Sequence, residues 1–156
     1  RFDIGDGQDL QRVHLRLQQR VRTHQHATSC TIDLDSSIYE QVSTTKEGST
    51  KAYNGEVGYH PLFAFWAEEG ELLFSHLRRG SAYTARNIVW FLREPFKRVP
   101  AMAVKQLRAD SGFYSKAVVE WCETHGFTFA ITAEQTAPLL AAITALPEQR
   151  WRPLPE

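Results

Sequence analysis

A chain of 156 residues fits one domain of ordinary size and can bury roughly 68–70% of its unfolded surface, enough for a packed core without staples. Hydrophobic residues at 42% and charged residues at 23% exclude wholesale disorder, and 18 basic against 18 acidic side chains exclude a uniformly basic nucleic-acid coat, though not local basic patches. Two cysteines build no disulfide framework and point to a reducing cytosol, and no apolar run approaches the ~18 residues that a membrane span needs.

Leu10, Val13, Leu17 and Val21 recur at helical spacing, so the chain opens with a helix whose apolar face is expected to turn inward. Arg12, Arg16, Arg20 and Arg22 then fall mostly on the solvated face. Residues 30–36 alternate as a strand, with Thr31, Asp33 and Asp35 on one side and Ile32 and Leu34 on the other. Residues 40–58, rich in Ser, Thr, Gly and charge, read as a long mobile loop. Two apolar runs, 62–67 and 72–77, flank Glu68, Glu69 and Glu71 and predict a β-hairpin with solubilising charges at its turn.

After Ser81 the period becomes helical through Ala85, Ile88, Val89, Leu92, Phe96 and Val99. Ser81 or Thr84 is the expected cap, and Pro95 should kink or end that helix. Residues 105–110 predict another strand. Ser115 caps a helix burying Ala117, Val118, Trp121 and Cys122, which Gly126 closes. A fifth strand, 127–132, leads to a last helix that carries Leu139, Leu140, Ile143 and Leu146 and stops at Pro147. Trp66, Trp90 and Trp121 read as core. The fold class is α/β, a mixed five-stranded sheet flanked by helices. The chain begins at Arg1 without a signal peptide and stops after a helix-like stretch, so it reads as a piece of a longer protein.

Two acids stand where strands end, Asp35 before Ser36 and Asp110 before Ser111 and Gly112. In open α/β sheets such positions face a ligand-binding crevice. Brought within about 4 Å, two bare carboxylates repel by about 4 kcal/mol at an effective dielectric of 20. A shared proton or a cation relieves this, and hard ions such as Mg²⁺ or Mn²⁺ suit oxygen ligands. Two such ions can stabilise both the attacking and the leaving oxygen of a phosphodiester. Asp before Ser or Gly is also an ordinary turn signal. Asp33 shares the strand face of Asp35 and is either an auxiliary acid or solvent-facing. His24, His26 and Cys30 lack a second zinc-spaced pair.

Four stretches carry a resemblance: Thr31–Ser37 (TIDLDSS); Gly58–Leu62 (GYHPL) leading to Ala67–Gly70 (AEEG); Leu77–Gly80 (LRRG); and Leu107–Ser115 (LRADSGFYS), the most specific. Over residues 28–150 the chain resembles the Asp-Asp-Glu transposases of bacterial insertion sequences, group 1380. The resemblance implies a ribonuclease-H-like catalytic core that cuts DNA at transposon ends and joins the freed 3′ hydroxyls to target DNA. Asp35 and Asp110 match the family's first two catalytic, metal-binding aspartates, with Mg²⁺ or Mn²⁺ in a two-metal site, and Asp33 matches an accompanying acid. The family's third carboxylate, a glutamate, follows an inserted region, and Glu134, Glu148 and Glu156 match no motif. Arg79 and Ser81 replace the usual Pro and Asn of the turn.

On this reading residues 1–28 are a helical segment leading into the core, 29–150 a partial core and 151–156 the start of the inserted region. The piece alone should be inactive. A bacterial cytoplasmic protein, associated with the nucleoid when acting, is implied, with DNA as partner and self-association of the longer protein. Arg78, Arg79, Arg86 and Arg108 are candidate phosphate contacts, and Tyr53, Tyr59 and His60 candidates for stacking on an unpaired end. A ribonuclease-H-like nuclease without joining activity and an inactive DNA-binding or oligomerising module remain as alternatives.

Overall fold

Strand β1 (Ser29–Ser36) is central because its alternation serves two environments. Cys30, Ile32 and Leu34 are buried on one side, while Asp33 and Asp35 stand on the other. The computed structural model describes residues 4–22, 28–42, 45–99 and 104–153. Around β1 the chain forms α1 (Ile4–Arg22), β2 (Tyr39–Glu40), β3 (Thr50–Lys51), β4 (Val57–Tyr59), β5 (Leu62–Trp66), β6 (Glu71–His76), α2 (Ile88–Arg98), β7 (Val104–Ala109), α3 (Lys116–His125), β8 (Thr128–Ile131) and α4 (Ala137–Thr144).

Five strands make a mixed sheet in the order β6-β5-β1-β7-β8. β1 runs antiparallel to β5 and parallel to β7, and β8 extends the parallel half. One face of the sheet meets α2 and α3. Ile32, Leu62, Ala64, Trp66 and Leu107 pack there against Phe91, Leu92, Val118 and Cys122 in one apolar cluster. Ser115 caps α3 by accepting a bond from the Val118 amide, and Gly126, at φ 70°, closes it. The predicted sheet and the α3 caps match the structure. Ala117 is exposed, however.

The first helix departs from its sequence reading. Leu10, Val13, Leu17 and Val21 are 53–57% exposed; Gln11, Gln18 and Arg22 face the protein, while Arg12, Arg16 and Arg20 stay exposed as expected. The reason is the outer edge of β6, whose carbonyls have no neighbouring strand. Gln11 donates to the Ser75 carbonyl at 3.2 Å and Gln18 to the Leu72 carbonyl at 2.6 Å. Arg22 bridges Glu71 at 3.0 Å and also donates to the Arg98 carbonyl. Satisfying buried backbone acceptors outweighs apolar periodicity here.

Other expectations also change. Residues 40–58 hold a small sheet, β2-β4-β3, rather than an unstructured loop. Gly58 is required in it, because a Cβ there would lie 2.0 Å from the Tyr39 carbonyl oxygen. Helix α2 starts at Ile88, after Asn87 in the left-handed region, and Pro95 sits inside it without ending it. Its late start follows from Arg78, whose guanidinium binds the Tyr83 and Thr84 carbonyls and holds that segment in turns. In α4 no residue is buried, and Leu140, Ile143 and Leu146 are exposed.

The hairpin acids do more than solubilise. The Glu68 carboxylate accepts bonds from the Thr31 amide at 2.8 Å, the Thr31 hydroxyl at 2.7 Å and the Ser29 hydroxyl at 3.2 Å, tying β1 to the β5–β6 turn. Burial pushes the Glu68 carboxyl up, but these bonds together outweigh it and hold the group below its ordinary value. The stabilisation is therefore present above the unfolded glutamate range near about 4.3 and fades as pH falls through the lower folded value. Denaturant midpoints of the parent should exceed those of Glu68→Gln at neutral pH, with the gap closing in acid; a pH-independent gap would contradict this. Leu107 is fully buried in the centre of the sheet, so Leu107→Ala should cost about 2–5 kcal/mol in urea unfolding.

Candidate active site

Parallel pairing sets Ser29 opposite Val104 and ends with Asp33 opposite Arg108. The pairing ends there, two residues short of Asp35 on β1 and of Asp110, the residue that follows β7. The facing is fixed one pleat earlier. Arg108 donates two bonds to Asp33, at 2.6 and 2.5 Å, so these side chains project from the same sheet face. Asp35, two residues further along β1, keeps that face by strand alternation, and Asp110 follows the last residue of β7. Asp110 keeps an extended backbone, φ −78° and ψ 179°.

Each acid is held locally. The Asp35 carboxylate accepts from the Ser36 amide at 2.7 Å, and Asp110 caps a short 3₁₀ turn by accepting from the Gly112 amide at 2.9 Å. The turn is anchored by Phe113, which is fully buried. Both acids are exposed, so each keeps oxygen lone pairs open to a ligand. Hard, anionic oxygens from two carboxylates suit Mg²⁺ or Mn²⁺, which complete their shells with water and substrate phosphate. Among the described residues no cluster of three or more His, Cys, Asp or Glu forms a ready metal cage.

This pair of strand-end acids on a mixed sheet coincides with a sequence-family match. The model for "Transposase DDE domain group 1" matches residues 1–155. The chain belongs to this transposase family. No curated protein matches it in sequence. Among solved structures it is similar to a piggyBac transposase in a synaptic complex with hairpin DNA, with a TM-score of 0.52, 11% identity, and coverage of 81% of this chain and 27% of that one. This likeness places the sheet in the ribonuclease-H-like fold. The Mos1 transposase in a paired-end complex with its left transposon end gives a TM-score of 0.48 at 10% identity, covering 85% of this chain and 46% of that one. The chain spans well under two thirds of either relative.

The remaining candidates in this transposase domain separate sharply. Asp33 is engaged by Arg108, and that hydrogen bond followed by its charge raises the Arg108 guanidinium above its ordinary value. Asp33, read as a possible accompanying acid, and Arg108, read as a candidate phosphate contact, are thus paired with each other in this structure. Arg78 braces the loop, donating to the carbonyls of His60, Tyr83 and Thr84. His60 is 2% exposed, and its Nδ1 lies 2.9 Å from the Ala82 carbonyl oxygen, so it is closed to a DNA end. The Tyr59 hydroxyl donates to the Glu47 carbonyl. Tyr53 is exposed, its ring 5.9 Å from that of His60. Arg79 and Arg86 are exposed.

Cys30 is fully buried and its thiol is pushed up to about 12, by burial first and by Glu68 next, which makes it a poor metal ligand at neutral pH. His24 and His26 lie outside the described residues. Trp66 and Trp121 are core, but Trp90 is 49% exposed. The Asp33–Arg108 pair escaped the sequence reading, although opposite charges on alternating faces of two strands were its signal.

Proposed function

We propose that this chain supplies two of the carboxylates of a transposase that cuts DNA at transposon ends and joins the freed 3′ hydroxyls to target DNA. The observation that supports the reading is the parallel pairing of β1 with β7 up to Asp33 and Arg108, since Asp35 and Asp110 each stand two residues beyond that last pair. Bound divalent ions would stabilise the charge on the attacking and leaving oxygens of the scissile phosphodiester. The protein's part is positional. The amides of Ser36 and Gly112 restrict the two carboxylates, and the buried Phe113 holds the Asp110 turn, so little ordering is left for the moment of reaction.

Cleavage on this reading is attack of water on a phosphodiester with departure of a 3′ oxygen. Joining is attack of that 3′ hydroxyl on a target phosphodiester, with departure of the target strand's own 3′ oxygen. On this reading a third carboxylate would complete the site, and the finer assignment to insertion-sequence group 1380 rests on the motifs from Thr31 to Ser115. The same two acids would serve a nuclease that cuts without joining, and an assay of strand transfer with the longer protein separates the two.

Metal binding tests the pair without turnover. The chain should bind Mn²⁺ weakly in a calorimetric or electron-spin titration, and Asp35→Asn or Asp110→Asn should reduce the affinity at least tenfold with folding intact. Parent-like Mn²⁺ binding by both variants would remove the metal role. Because no group of three or more His, Cys, Asp or Glu among the described residues could hold a metal ion, the chain by itself should leave supercoiled plasmid intact in Mg²⁺.

A further inference from the structure

The amide that holds the Asp110 carboxylate, at 2.9 Å, belongs to Gly112. Four other glycines, Gly48, Gly55, Gly70 and Gly126, occupy the left-handed region, and Gly112 does not, so conformation alone does not require a glycine there. Space does. A Cβ built on Gly112 would stand 3.1 Å from Asp110 Oδ1, 3.3 Å from the Thr84 methyl and 3.4 Å from the Thr84 Cβ. Carbon atoms in ordinary contact sit about 3.5–4.0 Å apart. The acid and Thr84 therefore close on one position from two sides.

Thr84 lies in a segment that has no regular structure and is nonetheless fixed. The Arg78 guanidinium donates to the carbonyls of Thr84 and Tyr83 at 3.0 Å each and to that of His60 at 2.9 Å. The amide of the buried His60 returns a bond to the Arg78 carbonyl at 3.0 Å. Further along, the Gly80 amide donates to the Gly58 carbonyl at 3.1 Å and the Ser81 amide to the Thr50 hydroxyl at 2.9 Å. Residues 78–84 are thus tied to β3 and β4, and they present Thr84 to the Asp110 turn from a stationary support.

The turn itself is pinned from the core. Phe113 is fully buried, and its amide donates to the Asp110 carbonyl at 3.2 Å. With Phe113 anchored and Thr84 alongside, the Gly112 amide keeps its direction toward the carboxylate. The approach of Thr84 is made by carbon, through its methyl and Cβ, so its effect is steric.

We propose that Thr84, braced by Arg78, is a positioning residue for Asp110: its methyl group keeps the Gly112 amide on one carboxylate oxygen and so sets the direction in which the other is offered. What the acid then binds rests on the transposase reading above; the positioning itself needs no metal.

Hydrogen exchange at the Gly112 amide, followed by nuclear magnetic resonance in EDTA, reads the positioning directly. Thr84→Ser removes the methyl and should speed exchange at Gly112 at least about threefold, while amides of the β1–β7 ladder exchange as in the parent. Thr84→Val keeps the carbon contacts and should stay within about twofold of the parent. Mn²⁺ titration of the same samples gives the second readout. Thr84→Ser and Gly112→Ala should each weaken binding severalfold, because a small misplacement of a ligand is costly. The double variant should bind more tightly than Gly112→Ala alone, since the missing methyl makes room for the new Cβ; damage to folding alone would add instead. Equal Gly112 exchange in the parent and Thr84→Ser, exchange in Thr84→Val as fast as in Thr84→Ser, or a double variant weaker than either single one would overturn the proposal. The comparison of Ser with Val stands even if Gly112→Ala fails to fold. A parent that binds no Mn²⁺ removes the metal reading, and the exchange rates still decide the role of Thr84.

Discussion

Backbone hydrogen bonding between β1 and β7, in parallel register from Ser29–Val104 to Asp33–Arg108, joins the two strands whose carboxyl ends lead to Asp35 and Asp110, residues far apart along the chain. A shift of one residue would turn Arg108 and Asp110 to the core face and Leu107 to the open one. Burial of Ile32, Leu34 and Leu107 on one side and the Arg108–Asp33 bonds on the other oppose that shift together. The apolar side supplies the energy. The exposed ion pair adds little by itself but is incompatible with the wrong facing.

The site is consequently a product of the sheet rather than of a preformed cage. The Ser36 and Gly112 amides hold the carboxylates, and both acids stay in contact with solvent. Two like charges at one sheet end are tolerable in that setting because water screens them until a cation arrives. Family membership and the ribonuclease-H-like fold agree with this arrangement.

Much of this was readable in the residues. Alternation revealed β1, the Ser115 and Gly126 signals bounded α3, and the run from Leu107 to Ser115 marked Asp110 within a recognisable motif. What failed to be readable depended on tertiary partners. The exposed stripe from Leu10 to Val21 looked like a core face because periodicity carries no record of the unpaired carbonyls of Leu72 and Ser75, which Gln18 and Gln11 satisfy. Trp90 looked like core for the same reason: an apolar helix start does not reveal that a cavity adjoins it. Arg78 and His60 looked available because their carbonyl partners belong to a loop with no regular pattern.

Anomalous diffraction from crystals of the chain grown or soaked with Mn²⁺ tests the central claim most directly. The account requires a peak between the side chains of Asp35 and Asp110, with an oxygen of each within about 2–2.5 Å of the ion. Manganese bound elsewhere while these two carboxylates stay bare, or electron density showing them turned to opposite faces of the sheet, would contradict it.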